Sequence, residues 1–410
     1  MIRSMPGCRS CGADGLELIL SLGRTPIANA LLSREQLLLP EPRYPLDLAF
    51  CPSCSLVQIT ETVPAELLGD HLYVLPFSDA RLRHVQALAE RLTAERHLDQ
   101  ESLVVELAGN DGYLLQHYQH KGVPVLGIEP AANVTRVAVK ERGVPTLCEC
   151  FGRRTGERLR AEGQTADVVH AHNVLDHVAD LNDFVGGMHA VLKQTGVVIV
   201  EVPYLRDLVE GCEFDTIYHE HLCYFSLTAL VQLFRRHGLR VQDVARAGLH
   251  GDSLQLTIGT LAGTDPTPAV GQLVAEEAAW GVYDVATYRQ FGARVDGLKR
   301  SLTAMLHDLK SRGERIAGYG ATAKGSTLLN YFGIGKDVLD FVVDWSPQKQ
   351  GRYMPGVHLP ISAPERLLEE MPENVLLLTW SFKDAILEQH KIYRQLGGRF
   401  IIPVPEVKVA

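Results

Sequence analysis

The chain has no run approaching the roughly 18 apolar residues that a membrane-spanning helix needs. Its first residues, MIRSMPGCRSCG, carry no apolar stretch of the kind that heads a secretory signal. A cytoplasmic location with reduced thiols is therefore expected. Positive charge is in short supply. Lys and Arg total 40 against 49 Asp and Glu, a formal net charge of −9, and such a surface repels phosphate backbones, which argues against nucleic acid as a partner. Two catalytic signatures are missing as well: there is no HExxH for a zinc hydrolase and no GxGxxG for a dinucleotide. Low-complexity tracts are absent too. With 46% hydrophobic and 22% charged residues over 410 positions, the composition is that of a globular protein long enough for two or three domains.

Four of the eight cysteines are patterned, as Cys8-x-x-Cys11 and Cys51-x-x-Cys54. Two thiolates at that spacing grip one metal from a tight turn, and two such turns complete a tetrahedron. The intervening residues, 12–50, are more than the usual spacer and leave room for strands. Arg9, Ser10 and Gly12, then Pro52 and Ser53, suit the turns. One structural zinc, closed by four sulfurs and therefore not catalytic, is the expectation. Cys148, Cys150, Cys212 and Cys223 show no such pattern.

Beyond this module, expected over residues 1–70, a helix is predicted from Asp79 to about Arg96, with Leu82, Val85, Leu88 and Leu92 on one face. Short apolar runs follow (SLVVEL, PVLGIE, VPTLCECF, ADVVHAHN, GVVIVEV), separated by helix-like segments. Strands alternating with helices mean parallel crossovers and a doubly wound α/β sheet, a Rossmann-like domain expected over 71–260. Leu239–Asp243 and Asp252–Ile258 read as closing antiparallel strands. Residues 261–312 read as a helical linker, with one long helix or a pair from Val274 to Ser311. A second alternation then begins near Arg315 and runs through Leu339–Asp344, Asn374–Thr379 and Arg399–Ile402, a second Rossmann-like domain over 313–410.

The first strand-to-helix turn, Glu106-Leu107-Ala108-Gly109-Asn110-Asp111-Gly112, brings small residues beside a helix N-terminus, where a backbone can approach a ligand closely. Glu106 suits the ammonium of an amino acid and would repel a diphosphate. Glu129, at the end of the next strand, stands where ribose hydroxyls are bound. Two acidic strand ends favour S-adenosyl-L-methionine over NAD. Such a cofactor is expected over Glu106, Gly109, Asn110, Asp111 and Gly112, reaching Glu129, Phe151 and Asn173. An NAD-dependent oxidoreductase and a non-enzymatic zinc-ribbon protein are the rival readings.

The strings ELAGNDGYLL, GIEP, HNVLDHV, EVPYL, FDTIYHEHLCYFS and GYGATAKG occur here in that order. In this combination the whole chain resembles the sugar C-methyltransferases of deoxysugar antibiotic pathways, of the tetronitrose and mycarose type; it departs from their pattern at Ala108-Gly109. The resemblance implies a zinc-binding N-terminal module, an S-adenosylmethionine-dependent middle domain, a Rossmann-like C-terminal domain, and a 4-keto nucleotide sugar, often on dTDP, as acceptor. It also implies functional roles for Tyr73, His177, Tyr218, Glu220 and His221.

Carbon methylation needs a carbanion, which a neighbouring ketone provides once its α-proton is taken and the charge is held as an enolate. That requires a base and a donor for the enolate oxygen. Tyr218-His219-Glu220-His221 supplies both. Extended, it puts Tyr218 and Glu220 on one face; turned helically, it brings Tyr218 to His221. His221 is the expected base and Tyr218 the donor, with Glu220 orienting an imidazole or binding a sugar hydroxyl and His177 as the alternative base. A metal on His219, Glu220 and His221 is disfavoured, because adjacent residues do not converge on one ion. Gly318, Tyr319 and Lys324 are expected at an anion site for the acceptor's diphosphate, with a purely structural tight turn as the alternative, and His250 and Gly251 in the same cleft. Methylation of a heteroatom, which needs no carbon base, is the remaining alternative.

Overall fold

The computed structural model describes residues 3–4, 7–64, 79–247 and 253–410. Tyr73, His250 and Gly251 lie outside these. Among the described residues no helix is long and apolar enough to cross a membrane.

The central sheet has seven strands, in the spatial order Leu239–Ala247, Ser253–Thr260, Leu192–Pro203, Ala166–His172, Val104–Leu107, Val125–Ile128, Thr146–Leu147. Its five consecutive strands from Leu192–Pro203 to Thr146–Leu147 are parallel, while Ser253–Thr260 runs antiparallel to both neighbours. Val104, Val105, Val168, Val169, Val198 and Val200 have no exposed surface, as expected of strands covered by helices on both faces. Strand order reverses at Val104–Leu107, which places the crevice for a ligand at that strand's carboxyl end.

The C-terminal sheet repeats the plan with six strands: Ile361–Ser362, Val342–Val343, Ile316–Tyr319, Asn374–Leu377, Arg399–Ile402 and Lys408–Val409, the last antiparallel. Its reversal falls at Ile316–Tyr319. The expected linker is a helix pair, Pro268–Trp280 and Val285–Ser311. Gly281 ends the first in a left-handed conformation (φ +99°), and Asp284 caps the second by accepting from the N–H of Ala286 at 2.8 Å. The second helix ties all three parts together. Tyr288 stacks on Phe50, Arg294 donates to the carbonyls of Val209 and Glu210, and Lys299 donates to that of Tyr331.

The N-terminal sheet is antiparallel, in the order Glu17–Thr25, Tyr44–Phe50, Val57–Ile59, Cys223–Tyr224. Its fourth strand thus comes from far along the chain, immediately after the Tyr218–His221 segment.

Candidate active site

The four patterned cysteines converge. Cys8 and Cys54 sulfurs are 3.5 Å apart, those of Cys11 and Cys51 3.6 Å, and all four lie within 4.8 Å of one another. A tetrahedral zinc with bonds of about 2.3 Å needs sulfurs about 3.8 Å apart, so the donor set fits that ion with little adjustment. Each knuckle closes on a left-handed residue after its second cysteine, Gly12 (φ +73°) and Ser55 (φ +59°). The buried Arg9 between the first pair donates to the carbonyls of Ile59, Glu61 and Ala179, the last of these in the central domain.

At the end of Val104–Leu107 the turn contains Ala108 (φ +53°), Asn110 (φ +49°) and Gly112 (φ +80°), three left-handed residues in five. Two of them are not glycine, and such strain persists only where surrounding structure holds it. Glu129 is part of what holds it. One carboxylate oxygen accepts from Asn110 N–H at 3.2 Å and the other from Ala131 N–H at 2.9 Å. Each oxygen keeps a lone pair for a further donor, and among the described residues no basic side chain forms an ion pair with it. A vicinal diol fits this acceptor. Asp111, by contrast, pairs with Arg142 at 2.7 Å, and Glu106 is buried beneath the turn, where a Cβ on Gly109 would come within 3.4 Å of it. Phe151 packs edge-on against Phe184, and Asn173 (φ +50°) ends the strand Ala166–His172.

The Tyr218–His221 segment is turned rather than extended: His221 N–H donates to Tyr218 C=O at 2.9 Å. The Nδ1 of His221 lies 3.0 Å from Thr216 C=O. A carbonyl only accepts, so Nδ1 carries the proton and Nε2 has the lone pair. Tyr218 donates its hydroxyl to that Nε2 at 2.7 Å. Burial pushes the His221 imidazole down to about 4, keeping it neutral at physiological pH. The other two residues of the motif face the N-terminal module. His219 donates through Nε2 to Pro45 C=O at 3.0 Å, and Glu220 accepts from Asn29 Nδ2 at 2.8 Å. Among the described residues neither meets another imidazole.

The segment is held from both sides. After it, Cys223–Tyr224 joins the N-terminal sheet. Before it, Asp215 accepts from Trp380 Nε1 at 2.6 Å, Glu213 meets Lys324 Nζ at 3.3 Å, and Phe214 stacks on Phe332 with centroids 4.9 Å apart.

His177 sits edge-on to His221, with ring centroids 4.9 Å apart, so both candidate bases occupy one site. Asp176, not singled out from the sequence, lies between them. Its Oδ2 is 3.7 Å from His177 Nε2 and 3.8 Å from His221 Nε2. Its neighbour in the LDH turn was legible, but the direction of its own side chain was not. Asp176, His177 and His221 bring three ligand atoms within 4.8 Å of one another. The His219–Glu220–His221 trio does not converge in this way.

The second glycine turn begins beyond Tyr319. Gly318 and Tyr319 belong to the strand itself, Gly318 N–H being used on Phe341 C=O, and the turn proper is Gly320–Thr322. The Tyr319 hydroxyl is taken up by Trp345 Nε1 and His390 Nε2. Lys324 faces Glu213 and the ring of Trp380 (5.1 Å) at the junction with the central domain.

Comparison with known proteins places this geometry in context. The model of a C-methyltransferase C-terminal domain matches residues 248–405, that of a methyltransferase domain matches 80–244, and that of a zinc binding domain matches 8–68. The C-methyltransferase NovU of Streptomyces niveus is 35% identical over 100% of this chain and 98% of its own length. A ubiquinone biosynthesis O-methyltransferase of Bartonella tribocorum is 26% identical over 30% of this chain and 52% of its own. Among solved structures, the PH0226 protein from Pyrococcus horikoshii covers 47% of this chain and 99% of its own, with a TM-score of 0.38 and 17% identity.

Proposed function

The chain belongs to the C-methyltransferase family, and from that premise we propose that it methylates a carbon next to the ketone of a nucleotide-linked 4-keto deoxysugar, with dTDP as the carrier. It is an S-adenosyl-L-methionine-dependent C-methyltransferase with a zinc-binding N-terminal domain. Glu129 would hold the cofactor's ribose, and the 108–112 turn would lie beneath it. When bound, the cofactor supplies an electrophilic methyl group on a sulfonium.

The observation that carries the reading is the Tyr218–His221 pair: a neutral imidazole whose basic nitrogen already faces a hydroxyl donor at 2.7 Å. His221 Nε2 takes the α-proton, and the C–H electron pair moves into the enolate. Tyr218, released from Nε2, turns its hydroxyl to the enolate oxygen. The enolate carbon, held by His221 and Tyr218, would then be the acceptor for the methyl group that the bound cofactor supplies. His221 then returns its proton to solvent. His177 and the Lys324–Glu213 junction would border the acceptor.

The test is mass spectrometry of purified protein with S-adenosylmethionine and a panel of 4-keto nucleotide sugars, run alongside deuterium washout from the acceptor carbon. His221→Asn should lower both washout and methyl transfer by roughly 10²–10⁴-fold, with cofactor affinity intact, and Tyr218→Phe should slow both. The neutral imidazole is the working form, and protonation disables it only near pH 4. Washout should therefore hold its rate from pH 7 down to about 5. Retained washout in His221→Asn and its loss in His177→Asn would move the base to His177. Methylation of a non-sugar carbon acid alone would leave the chemistry and change the acceptor.

A further inference from the structure

Proton abstraction by His221 leaves one charged group of the cleft unused. Asp176 has only 6% of its side chain exposed. Its Oδ1 has no hydrogen-bond partner among the described residues, and its Oδ2 stands off both imidazole nitrogens at 3.7 and 3.8 Å. Pro203, Leu205, Leu208 and Cys223 form apolar walls of the same pocket. A carboxylate kept there is costly, because burial strips its hydration and nothing in its own shell replaces it fully. An amide of the same shape would pack equally well at lower cost. The retained charge points to a moment in the cycle when a positive charge arises beside it.

We propose that Asp176 is a positioning residue for the proposed reaction, supplying the counter-charge for the His221 imidazolium that forms as the α-proton leaves the acceptor. This rests on His221 being the base. The geometry suits the role. At 3.8 Å the carboxylate is within ion-pair range of Nε2 but beyond hydrogen-bonding distance, so it stabilises the charge without taking the proton or blocking Tyr218. The turn that carries it is anchored to the catalytic segment, with Leu222 N–H donating to Asp176 C=O at 2.7 Å. One carboxylate faces two imidazoles whose ring centroids are 4.9 Å apart, so it can compensate one positive charge in this cleft.

The other groups facing His221 are accounted for. Tyr218 donates to Nε2, and Tyr224 donates to the His221 carbonyl at 3.1 Å. Cys223 is a buried thiol whose pKa burial pushes up to about 12, so it is uncharged. Lys324 is the opposing cation, held by Glu213. Burial is the largest influence lowering the His221 pKa, and Asp176 is the largest one raising it.

The experiment compares washout and methyl transfer in wild type, Asp176→Asn, Asp176→Glu and His221→Asn, with circular dichroism and S-adenosylmethionine affinity as checks on the fold. Asp176→Asn should lower kcat for both processes about tenfold or more, with KM for the acceptor and affinity for the cofactor within twofold of wild type. Asp176→Glu, which restores the charge, should recover much of the loss. A kcat within twofold of wild type in Asp176→Asn overturns the proposal, as does a loss confined to KM or one that Asp176→Glu does not relieve. If Asp176→Asn does not fold, Asp176→Ser with added formate decides the matter: formate-dependent recovery of washout supports the counter-charge, and no recovery overturns it. Washout surviving in His221→Asn identifies instead a failure of the base assignment itself.

Discussion

At the end of Val104–Leu107 and again at the end of Ile316–Tyr319 the chain makes the same manoeuvre. A turn of small residues runs into a helix, and a carboxylate from the end of the neighbouring strand accepts a backbone N–H from it: Asn110 to Glu129 at 3.2 Å, Ala321 to Asp344 at 2.8 Å. The two turns then diverge. Lys349 Nζ lies 3.4 Å from Asp344 and donates to Ala321 C=O at 2.9 Å, and Thr322 caps the following helix. Around Glu129 no described basic side chain forms an ion pair, and the turn above it carries three left-handed residues where the other carries Gly320 alone. We propose that the same frame has two uses: the strand-end carboxylate whose charge is matched internally fastens its turn, and the one without a described cation, under the strained turn, accepts from the cofactor.

The largest effects that could break this comparison come from the glycines. A Cβ on Gly320 would lie 2.4 Å from Thr379 Cγ2, at φ +100°, whereas one on Gly112 meets Val144 at 3.0 Å, at φ +80°. Gly320→Ala should cost about 2–5 kcal/mol of stability, seen as a lowered melting temperature, with cofactor affinity unchanged in the folded fraction. Gly112→Ala should cost less stability and weaken the cofactor. The reverse pattern would exchange the roles of the two turns. Next, Glu129→Ala should lose on the order of 1.5–3 kcal/mol of S-adenosylmethionine affinity by calorimetry, while Asp344→Ala loses stability and no affinity. Equal affinity losses would show that both turns bind the cofactor. Smallest is Lys349→Met, which should cost about 1 kcal/mol or less of stability and leave methyl transfer within twofold. A large catalytic loss there would give the second turn a ligand after all.

What could be read from the residues was local. Two CxxC knuckles, alternating strands and helices, and a tyrosine three residues before a histidine all declare themselves over short spans, and the helical reading of the turn brought Tyr218 to His221 as geometry requires. The break at Gly281–Asp284 was also written locally, as a glycine followed by an N-cap aspartate, but helical composition on either side obscured it. Long-range pairings left no such trace. Nothing near Cys223 signals that it will join a sheet begun at Glu17. Nothing near Lys324 signals Glu213, and Asp176 resembles any helix-turn aspartate until the fold places two imidazoles beside it.

The strand Cys223–Tyr224 ties the proposed base, His221, to parts of the molecule outside its own domain. Two residues after His221 the backbone leaves its own domain and is stitched to Val57 and Gln58, while the residues just before it are gripped by Trp380 and Lys324. A middle domain cut out of this chain would lose its neighbours on both flanks at once and leave Cys223–Tyr224 without the strand it pairs with. The knuckle Cys51–Cys54 joins the strands Tyr44–Phe50 and Val57–Ile59, so a zinc held there would brace the segment that carries His221 from a distance.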